Sequence, residues 1–529
     1  MKRSSVTLLG GALFLLCSAG WAVNFLTEGV DNGRTGWLQG DKSFTPQNVK
    51  GMKLLWKTKL DSTPREMHNL FAPLLLENVE TPSGKKEVAV VAGVTDDLFG
   101  LDGKTGDQLW HVHYDTTFTP VPGARGGGTL CPGGQTAVPV ATPGDKPGDY
   151  TVYAVSWDGR LRTINAADGK DIVPPAKFLP PNGKPYALNL LDGVIYTSVS
   201  QGCGGLTFAS YAYNLKTKVT SVFYPSGGGL WGRRGVGLSP DGISYMGTGD
   251  GEWDVENGHL GNGIIGVKLN KSEDLELVDY FAPKNADWMW KRDLDVNVSP
   301  VAIDYKGKHL LLGSSKECRV WLLDRDNFGG DDHRQVLADT PLLCNVEANF
   351  AGEGVWGALS TWQDAQGTWW LAVPFYGPVA PKFHAPVEYG RPKHGGIATF
   401  KITEKDGKWS LVPVWMSEDM DLAEEAIIAN GVMLAYASGE DARQSLPDAA
   451  WNEPKITTSG FGPLLGSPDR IKGSRHATLY ALDAATGKAL WSSGEQISNW
   501  NHFTGISAAN GRVYIPTFDG NLYCFGVAQ

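Results

Sequence analysis

The sequence contains a repeated unit in which a short apolar strand ends in a tight turn and resumes with an aromatic residue. The segment LFGLDGKTGDQLW (residues 98–110) recurs almost residue by residue as LYALDAATGKALW (residues 479–491). Alternating apolar residues indicate half-buried strands, and the Asp and Gly residues between them favour a tight turn. The aromatic residue of the resumed strand can pack between neighbouring units. A chain made of such units is expected to stack them side by side around one core.

Degenerate copies of the unit occur along the whole chain and give a count of the sheets. Seven copies have turn positions far enough apart for one four-stranded antiparallel blade each, at Asp102, Asn165, Asn214, Asn270, Asp324, Lys401 and Asp483. An eighth copy, LYCFG at 522–526, is cut short by the C-terminus. The 67 Gly, 31 Pro and 19 Trp residues suit short strands, tight turns and large core side chains. The sequence therefore predicts an all-β, eight-bladed propeller.

The incomplete eighth copy also predicts how the ring closes. The segments HFTGISAA, RVYIPTF and NLYCFG supply three strands of the C-terminal blade but no fourth. The segment LLWKTKL, residues 54–60, precedes the first full blade and has the pattern of an outermost strand. We expect it to pair with the C-terminal strands, because such pairing leaves no open sheet edge at the seam.

The first 22 residues have the layout of a secretory signal peptide. Lys2 and Arg3 precede an apolar stretch over residues 6–16, and small residues follow as far as Ala22. The apolar stretch is too short for a membrane-spanning helix, which needs about 20 residues. We expect cleavage after Ala22, a single propeller domain over residues 23–529, no transmembrane segment, and a soluble protein in the periplasm or outside the cell.

The acidic charge balance excludes one class of partners. The chain has 47 Lys and Arg residues against 57 Asp and Glu residues, a formal net charge of −10. Binding to nucleic acid or to anionic membranes relies on positive charge, so we expect neither partner.

Five cysteines follow the signal segment, and export allows disulfides. Cys131 and Cys203 lie in equivalent regions of consecutive repeats and are the first candidate pair, with Cys318 and Cys344 as the second. Because the number of cysteines is odd, at least one thiol stays unpaired. The alternative is that the cysteines are buried free thiols.

Two long Pro/Gly-rich segments, residues 377–396 and 440–476, exceed the length of simple hairpins. We expect them to cover one face of the disc, as functional loops or as plain capping. His68, His394 and His502 could face the hub, but their spacing is not that of a metal site, so a structural role is expected for them.

The LDxxTGxxxW turn, the eight blades and the segment FTPQNVKGMKLLW (residues 44–56) together resemble the pyrroloquinoline-quinone (PQQ) propeller family. The resemblance extends over essentially the whole chain after the signal segment. The motifs are specific for the fold. They say little about catalysis, because the same repeat also occurs in propellers that bind no quinone. The catalytic members of this family oxidise alcohols. Resemblance to them implies PQQ at the hub, between a Trp and a vicinal disulfide. It also implies Ca²⁺ or a lanthanide held by Glu and Asn, and an Asp base.

The resemblance assigns roles to particular residues. Trp231 falls on the tryptophan that stacks on the quinone, and Asp250 falls on the metal-ligating Asn. An indole face suits a flat ring, and a carboxylate suits a hard cation. Asp293 or Asp295, with Asp295 preferred, lies where the family has the base that takes a proton from a hydroxyl group.

Two basic residues complete the expected quinone site. Arg125 resembles the arginine that faces the carboxylates of the quinone. Lys316 resembles the basic residue that contacts the reactive quinone oxygens, where a cation stabilises developing negative charge.

The sequence also departs from the family pattern. No cysteine pair precedes Arg125, blade three has no carboxylate where the ligand Glu belongs, and Leu70 stands where a Glu contacts the quinone. These departures put the metal site in question. No CxxCH haem motif is present, so any electrons would pass to a separate acceptor.

The resulting hypothesis is a periplasmic or secreted PQQ-dependent oxidoreductase that oxidises a small or polymeric alcohol and reduces an external acceptor. One alternative is a non-catalytic propeller that acts as a protein-binding scaffold for an envelope protein. Another is a polysaccharide-binding propeller.

Overall fold

The computed structural model describes residues 23–119, 128–200, 202–203, 208–225, 228–249, 251–444 and 465–527. The expected signal peptide, Arg125 and Asp250 lie outside these ranges. No helix within the described ranges is long and apolar enough to cross a membrane.

The described residues form eight antiparallel sheets, each built mainly of four strands in sequential order. Blade 1 has β2 (Leu74–Thr81), β3 (Gly84–Gly93), β4 (Asp97–Asp102) and β5 (Gln108–His113), and blade 2 has β6 (Val140–Pro143), β7 (Tyr150–Val155), β8 (Arg160–Asn165) and β9 (Asp171–Lys177). Blade 3 has β10 (Lys184–Pro185), β11 (Asn189–Leu191), β12 (Val194–Ser200), β13 (Ala209–Asn214) and β14 (Thr220–Phe223). Blade 4 has β15 (Gly229–Trp231), β16 (Gly237–Leu238), β17 (Ile243–Gly249), β20 (Ile264–Leu269) and β21 (Leu275–Phe281). Blade 5 has β22 (Val301–Tyr305), β23 (Lys308–Ser314), β24 (Val320–Asp324) and β25 (Ala338–Asp339), and blade 6 has β26 (Ser360–Gln363), β27 (Trp369–Tyr376), β28 (Val387–Glu388), β29 (Gly395–Lys405) and β30 (Lys408–Met416). Blade 7 has β31 (Ile427–Ala429), β32 (Val432–Ala437), β33 (Thr478–Asp483) and β34 (Ala489–Ser492). Blade 8 has β35 (Ser507–Ala509), β36 (Arg512–Pro516) and β37 (Asn521–Gly526), together with β1 (Lys53–Lys59). The eight-bladed propeller is therefore confirmed.

Little else in the described residues is regular. A two-stranded hairpin, β18 (Trp253–Asp254) and β19 (His259–Leu260), extends from blade 4. The helices are α1 (Ala286–Trp290) and α2 (Ser467–Gly473), with short 3₁₀ turns at Asn48–Gly51, Val255–Asn257 and Gly494–Gln496.

The repeated turn has a packing role that explains its composition. The indole of Trp110, on the outer strand of blade 1, donates a 3.0 Å hydrogen bond to the Ala166 carbonyl in the turn of blade 2 and covers Gly169. Trp415 of blade 6 covers Gly487 of blade 7 in the same way. Both glycines have positive φ, and a Cβ would collide with the indole, so the Gly and the Trp of the motif require each other across adjacent blades. The expected packing of the aromatic residue between blades is confirmed.

The turns that mark the copies lie at the outer end of the third strand in the blades. Six of the seven positions fit this placement directly. Lys401 instead lies inside β29, which continues to Lys405, and the turn follows at Asp406 and Gly407. The copy in blade 6 is thus displaced because its strands are longer.

The seam between the two ends of the described chain is closed as expected. β1 pairs antiparallel with β37, with Lys53 opposite Gly526 and Lys59 opposite Asn521. Beside the seam, the carboxylate of Glu87 forms a buried ion pair with Arg512, joining blade 1 to blade 8.

Residues 23–41, the axial segment, contact the first strand or its adjoining turn in every blade. Backbone hydrogen bonds join Phe25 to β2, Leu26 to β6, Asn32 to β16, Gly33 to β22, Thr35 to β26, and Gly36 and Leu38 to β31. Side-chain hydrogen bonds add Thr27 before β11 and Asn510 after β35. One short segment can reach eight strands only if they surround a common axis. The axial segment therefore identifies the first strands as the innermost ones and fills the channel between them.

Both proposed disulfides are present, and the third thiol is buried and free. Cys131 is bonded to Cys203, Cys318 is bonded to Cys344, and Cys524 remains in the core. The second bridge lies two residues after Lys316, so it fixes the turn that carries this side chain.

Loss of the Cys318–Cys344 bridge is expected to lower stability measurably. In the chain-entropy account, opening a loop of 26 residues costs about 3 kcal/mol of unfolding free energy. Urea unfolding of a Cys318→Ala/Cys344→Ala double variant checks this value. Cys524→Ala is the control because it removes a buried thiol without opening a loop, and an equal loss in both variants would contradict the prediction.

Candidate functional site

The loops that enter the innermost strands bring chemically active side chains to one end of the hub. In every blade a polar or aromatic residue lies three to six residues before the innermost strand: His68, Gln135, Lys184, Arg233, Asp295, Trp356, Glu424 and His502. The loop after the second strand reaches the same face, because neighbouring strands are antiparallel. We call this face the loop face. The axial segment lies across the channel beside these residues.

Asp295 and Lys316 form a buried ion pair at the loop face. Their Oδ2 and Nζ atoms are 2.6 Å apart, and the residues are only 2% and 4% exposed. A backbone hydrogen bond also holds the two residues together, since the amide of Lys316 donates to the Asp295 carbonyl at 3.0 Å. Asp293 is more peripheral: its Oδ1 lies 3.7 Å from Lys316 Nζ, which also donates to the Asp293 carbonyl at 3.1 Å. Of the two expected bases, Asp295 is the one held closely by the cation.

Aromatic rings connect this ion pair to the next blades. Lys316 Nζ lies 4.7 Å from the ring centre of Trp356, a cation–π contact. Trp356 is parallel to Tyr376, and the Tyr376 hydroxyl donates a hydrogen bond to Glu424. The contacts of Asp295 therefore continue without interruption to the carboxylates before blade 7.

Arg233 is the centre of a second buried charge cluster. Its guanidinium forms an ion pair with Glu425, lies 4.0 Å from Glu424, and donates to the Tyr436 hydroxyl at 3.5 Å. Burial raises the pKa of Tyr436 well above its usual value, so this hydroxyl stays neutral. Arg233 thus holds blades 4 and 7 together across the hub, where it offsets two carboxylates.

Stability should depend on pH through Glu424. Burial raises the pKa of Glu424 to about 7 despite the opposing effects of Arg233 and Tyr376. Because the folded-state pKa lies above the ordinary value, this group stabilises the fold below about pH 4.5, and the contribution is lost as the pH rises through 7. Glu424→Gln should therefore gain stability relative to wild type between pH 5 and pH 8.

Urea unfolding of both proteins at several pH values measures that difference. Glu404→Gln is the control, since hydrogen bonds lower the pKa of Glu404 and it stays ionised over the same range. A constant difference for Glu424→Gln across the range would contradict the assignment.

A third cluster links blades 7, 8 and 1. The carboxylate of Glu440 is hydrogen-bonded to Nδ1 of His502, and the His502 ring meets the His68 ring edge to face at 4.8 Å. Burial, followed by nearby positive charges, lowers the pKa of both imidazoles well below the usual value. The two imidazoles are therefore neutral at pH 7. His394 lies apart, exposed, with Asp419 2.7 Å from its Nδ1.

The remaining sequence-derived candidates are placed as follows. Trp231 ends β15, two residues before Arg233, and its indole N–H is buried without a hydrogen-bond partner among the described residues. Two acidic residues that follow Asp250 contact other side chains or the backbone. Asp254 accepts a hydrogen bond from the Asn257 amide, and Glu252 lies 3.6 Å from His259. Leu70 packs in the core, while His68 occupies the loop-face position of blade 1.

The second long loop contributes more than capping. It carries Glu440 and, from α2, Arg470 to the buried interior of the loop face. A functional loop, one of the two expected roles, fits this placement better than plain capping.

The donor set suits a quinone better than a metal. A quinone offers acceptor oxygens, and the loop face presents the Lys316 ammonium and the unpartnered Nε–H of Arg233. Trp231, whose indole N–H is also unpartnered, precedes Arg233 by two residues. Unlike the quinone, a cation would need several oxygen ligands. Within the residues that the structure describes, no three Asp, Glu, His or Cys side chains are arranged to hold a metal ion.

Sequence reasoning missed Arg233, Glu424, Glu440 and Lys184. Arg233, Glu424 and Glu440 lie in loops and Lys184 lies in the two-residue strand β10, all outside the repeated turn, and no motif marks them. The available signal is positional: a charged residue a few positions before a predicted innermost strand, or just after the second strand, lies at the loop face.

Comparisons with known proteins agree with the propeller fold and with the resemblance to the PQQ propeller family. The structure superposes on the europium-containing methanol dehydrogenase with a TM-score of 0.58, at 13% identity, over 95% of this chain and 98% of that one. For the quinohemoprotein alcohol dehydrogenase from Comamonas testosteroni the TM-score is 0.54, at 14% identity, over 96% and 81% of the chains. These structural neighbours confirm the expected resemblance to the quinoprotein alcohol dehydrogenase propeller.

Sequence comparison is more limited. A stretch of 210 residues, 39% of this chain, is 28% identical to the 1-butanol dehydrogenase (cytochrome c) of Thauera butanivorans. The matched stretch covers 26% of the length of that relative. No protein-family model matches the chain. The comparisons give no support to the protein-binding scaffold.

Proposed function

We propose that this protein is a quinoprotein-type oxidoreductase that oxidises an alcohol-type substrate, small or polymeric, with PQQ. Electrons pass to an external acceptor. The observation that carries the proposal is the buried Asp295–Lys316 ion pair at the hub of a propeller with the quinoprotein alcohol dehydrogenase fold.

Asp295 is the proposed general base. Its carboxylate accepts the proton of the substrate hydroxyl, and the ion pair with the adjacent ammonium of Lys316 holds the carboxylate in place for this step. Asp293, at the rim of the pair, is the second carboxylate able to take the proton onward.

Lys316 and Trp231 are the proposed cofactor-binding residues within the described ranges. The Lys316 ammonium stabilises negative charge that develops on the acceptor, and the Trp231 indole supplies an apolar face with a free N–H. When bound, PQQ supplies a two-electron acceptor for the hydride from the alcohol carbon. Arg125 facing the carboxylates of PQQ stays a prediction, because this residue lies outside the described ranges.

Calcium or a lanthanide at Asp250 stays a prediction from the resemblance, and the described residues do not form its ligand set. We therefore assign no step to a metal ion.

Export to the periplasm or the exterior is proposed with the function. The signal-like residues 1–22 and the two disulfides support it, since disulfides persist in oxidising compartments.

Reconstitution tests the proposal. Purified protein incubated with PQQ and either Ca²⁺ or La³⁺ should bind about one quinone per chain and oxidise primary alcohols with an artificial dye as acceptor. Asp295→Asn should lose this activity, and Asp324→Asn is its matched control, because it removes one carboxylate from a Lys–Asp pair of similar length at the surface, Lys308–Asp324 (2.9 Å). No binding at micromolar quinone with either metal would refute the proposal.

A further inference from the structure

Lys184 is a buried cation for which the structure shows no counter-ion. It lies at the loop-face position of blade 3, five residues before β11, and is only 8% exposed. Among the described residues its ammonium forms neither an ion pair nor a hydrogen bond. Burial, and then the charge of Arg470, lowers the pKa of Lys184 to about 8, so it remains largely protonated at pH 7.

Arg470 approaches the same region from the opposite side of the hub. It lies on α2, whose first residue, Ser467, is hydrogen-bonded to Glu66 and, at 2.7 Å, to Thr129 near blades 1 and 2. Arg470 is 5% exposed, and its Nε donates to the Asp441 carbonyl at 2.8 Å. α2 thus crosses the loop face from blade 7 and directs a guanidinium beneath it.

The neighbouring groups do not neutralise both cations. Glu440 is hydrogen-bonded to the neutral His502, and Arg470 is the cation that acts on it most strongly, so Glu440 can offset one of the two cations. Asp441 forms its ion pair with Arg443. His68 and His502 are neutral, and Nδ1 of His68 is buried without a hydrogen-bond partner in the described part of the chain.

Burial of a cation without a partner is costly, commonly several kcal/mol, and is tolerated where a ligand provides the missing charge. A carboxylate matches these groups: it is singly negative, and its two oxygens can accept from an ammonium and a guanidinium together.

We infer that Lys184 and Arg470, beside the imidazoles of His68 and His502, form a binding site for a carboxylate group. The carboxylate comes either from the substrate or from the quinone. In the substrate case, which rests on the proposed function, the preferred alcohols are hydroxy acids.

Binding of propionate tests the site independently of any redox activity, because propionate has no hydroxyl group to oxidise. Isothermal titration of the quinone-free protein should show binding that falls at least about tenfold in Lys184→Met and is retained in Lys184→Arg. Lys86→Met is the matched control, since Lys86 is a lysine paired with Asp102 at 2.9 Å and lies near the start of β3, at the end of the strand away from the loop face. Equal propionate binding in wild type and Lys184→Met, or none in either, would overturn the inference.

Thermal unfolding provides a second readout. Because Lys184 is buried without a counter-ion among the described residues, Lys184→Met should unfold at a higher temperature than wild type in the absence of carboxylates, and propionate should stabilise only the wild type. A lower melting temperature for ligand-free Lys184→Met would contradict the absence of a counter-ion.

Loading with PQQ distinguishes the two sources. If the quinone supplies the carboxylate, PQQ abolishes propionate binding, and Lys184→Met weakens PQQ binding. If the substrate supplies it, the PQQ-loaded protein still binds propionate and oxidises glycolate with a higher kcat/KM than ethanol, an advantage lost in Lys184→Met.

Discussion

Asp295→Asn is expected to lower kcat for dye-linked alcohol oxidation by about 10³-fold in the PQQ-loaded protein, within the range for removal of a general base. The amide has nearly the same shape as the carboxylate, but it cannot accept the hydroxyl proton. KM should change little, because the lost interaction acts on the transferring proton. Steady-state kinetics of the loaded variant measure both values.

Two controls separate chemistry from loss of structure. Asp324→Asn alters an exposed pair and should keep wild-type kcat, and Asp293→Asn should lose far less than Asp295→Asn, since Asp293 is 3.7 Å from Lys316 rather than 2.6 Å. Near-ultraviolet and visible absorption spectra must show that Asp295→Asn still binds PQQ. A loaded Asp295→Asn protein with more than about a tenth of wild-type kcat would rule out Asp295 as the base.

Arg34→Met is expected to lower the free energy of unfolding by about 4 kcal/mol, as for other buried charges whose partners are left behind. Arg34 is fully buried in the axial segment. Its guanidinium donates to Thr27 Oγ1 at 2.8 Å, to the Glu28 carbonyl, and to the carbonyls of Leu188 and Val236 at 3.2 Å each. Methionine fills similar space but leaves these acceptors unsatisfied in the centre of the ring.

Urea unfolding of the purified variant measures this loss. Arg160→Met is the control, because the Arg160 side chain is 53% exposed and pairs at the surface with Asp158, so it should cost less than about 1 kcal/mol. If Arg34→Met were no more destabilising than Arg160→Met, the axial segment would not hold the blades together.

The repeat was predictable because its residues act locally and recur. The Gly–Trp contact between blades, seen at Gly169 and Trp110, needs the same two residue types wherever it occurs, so the pattern is visible in the sequence. Closure by residues 54–60 was predictable for the same reason, since the last blade lacked a strand. Lys401 was misplaced because longer strands in blade 6 shift the turn without changing the pattern.

The axial segment and most of the hub could not be predicted in this way. Residues 23–41 adopt no periodic structure, and their contacts depend on the position of all eight innermost strands. Arg233 and Glu440 pair with partners far away in sequence, through loops that differ from blade to blade. Trp231, Asp295 and Lys316 were predicted as site residues because they match a family pattern, while Lys184 and Arg470 match none.

The most direct measurement is a crystal structure of the protein grown with PQQ. The account predicts one quinone at the loop face of the hub, in contact with Lys316 and within reach of Asp295. A quinone bound elsewhere, or a hub without quinone at saturating concentration, would contradict it.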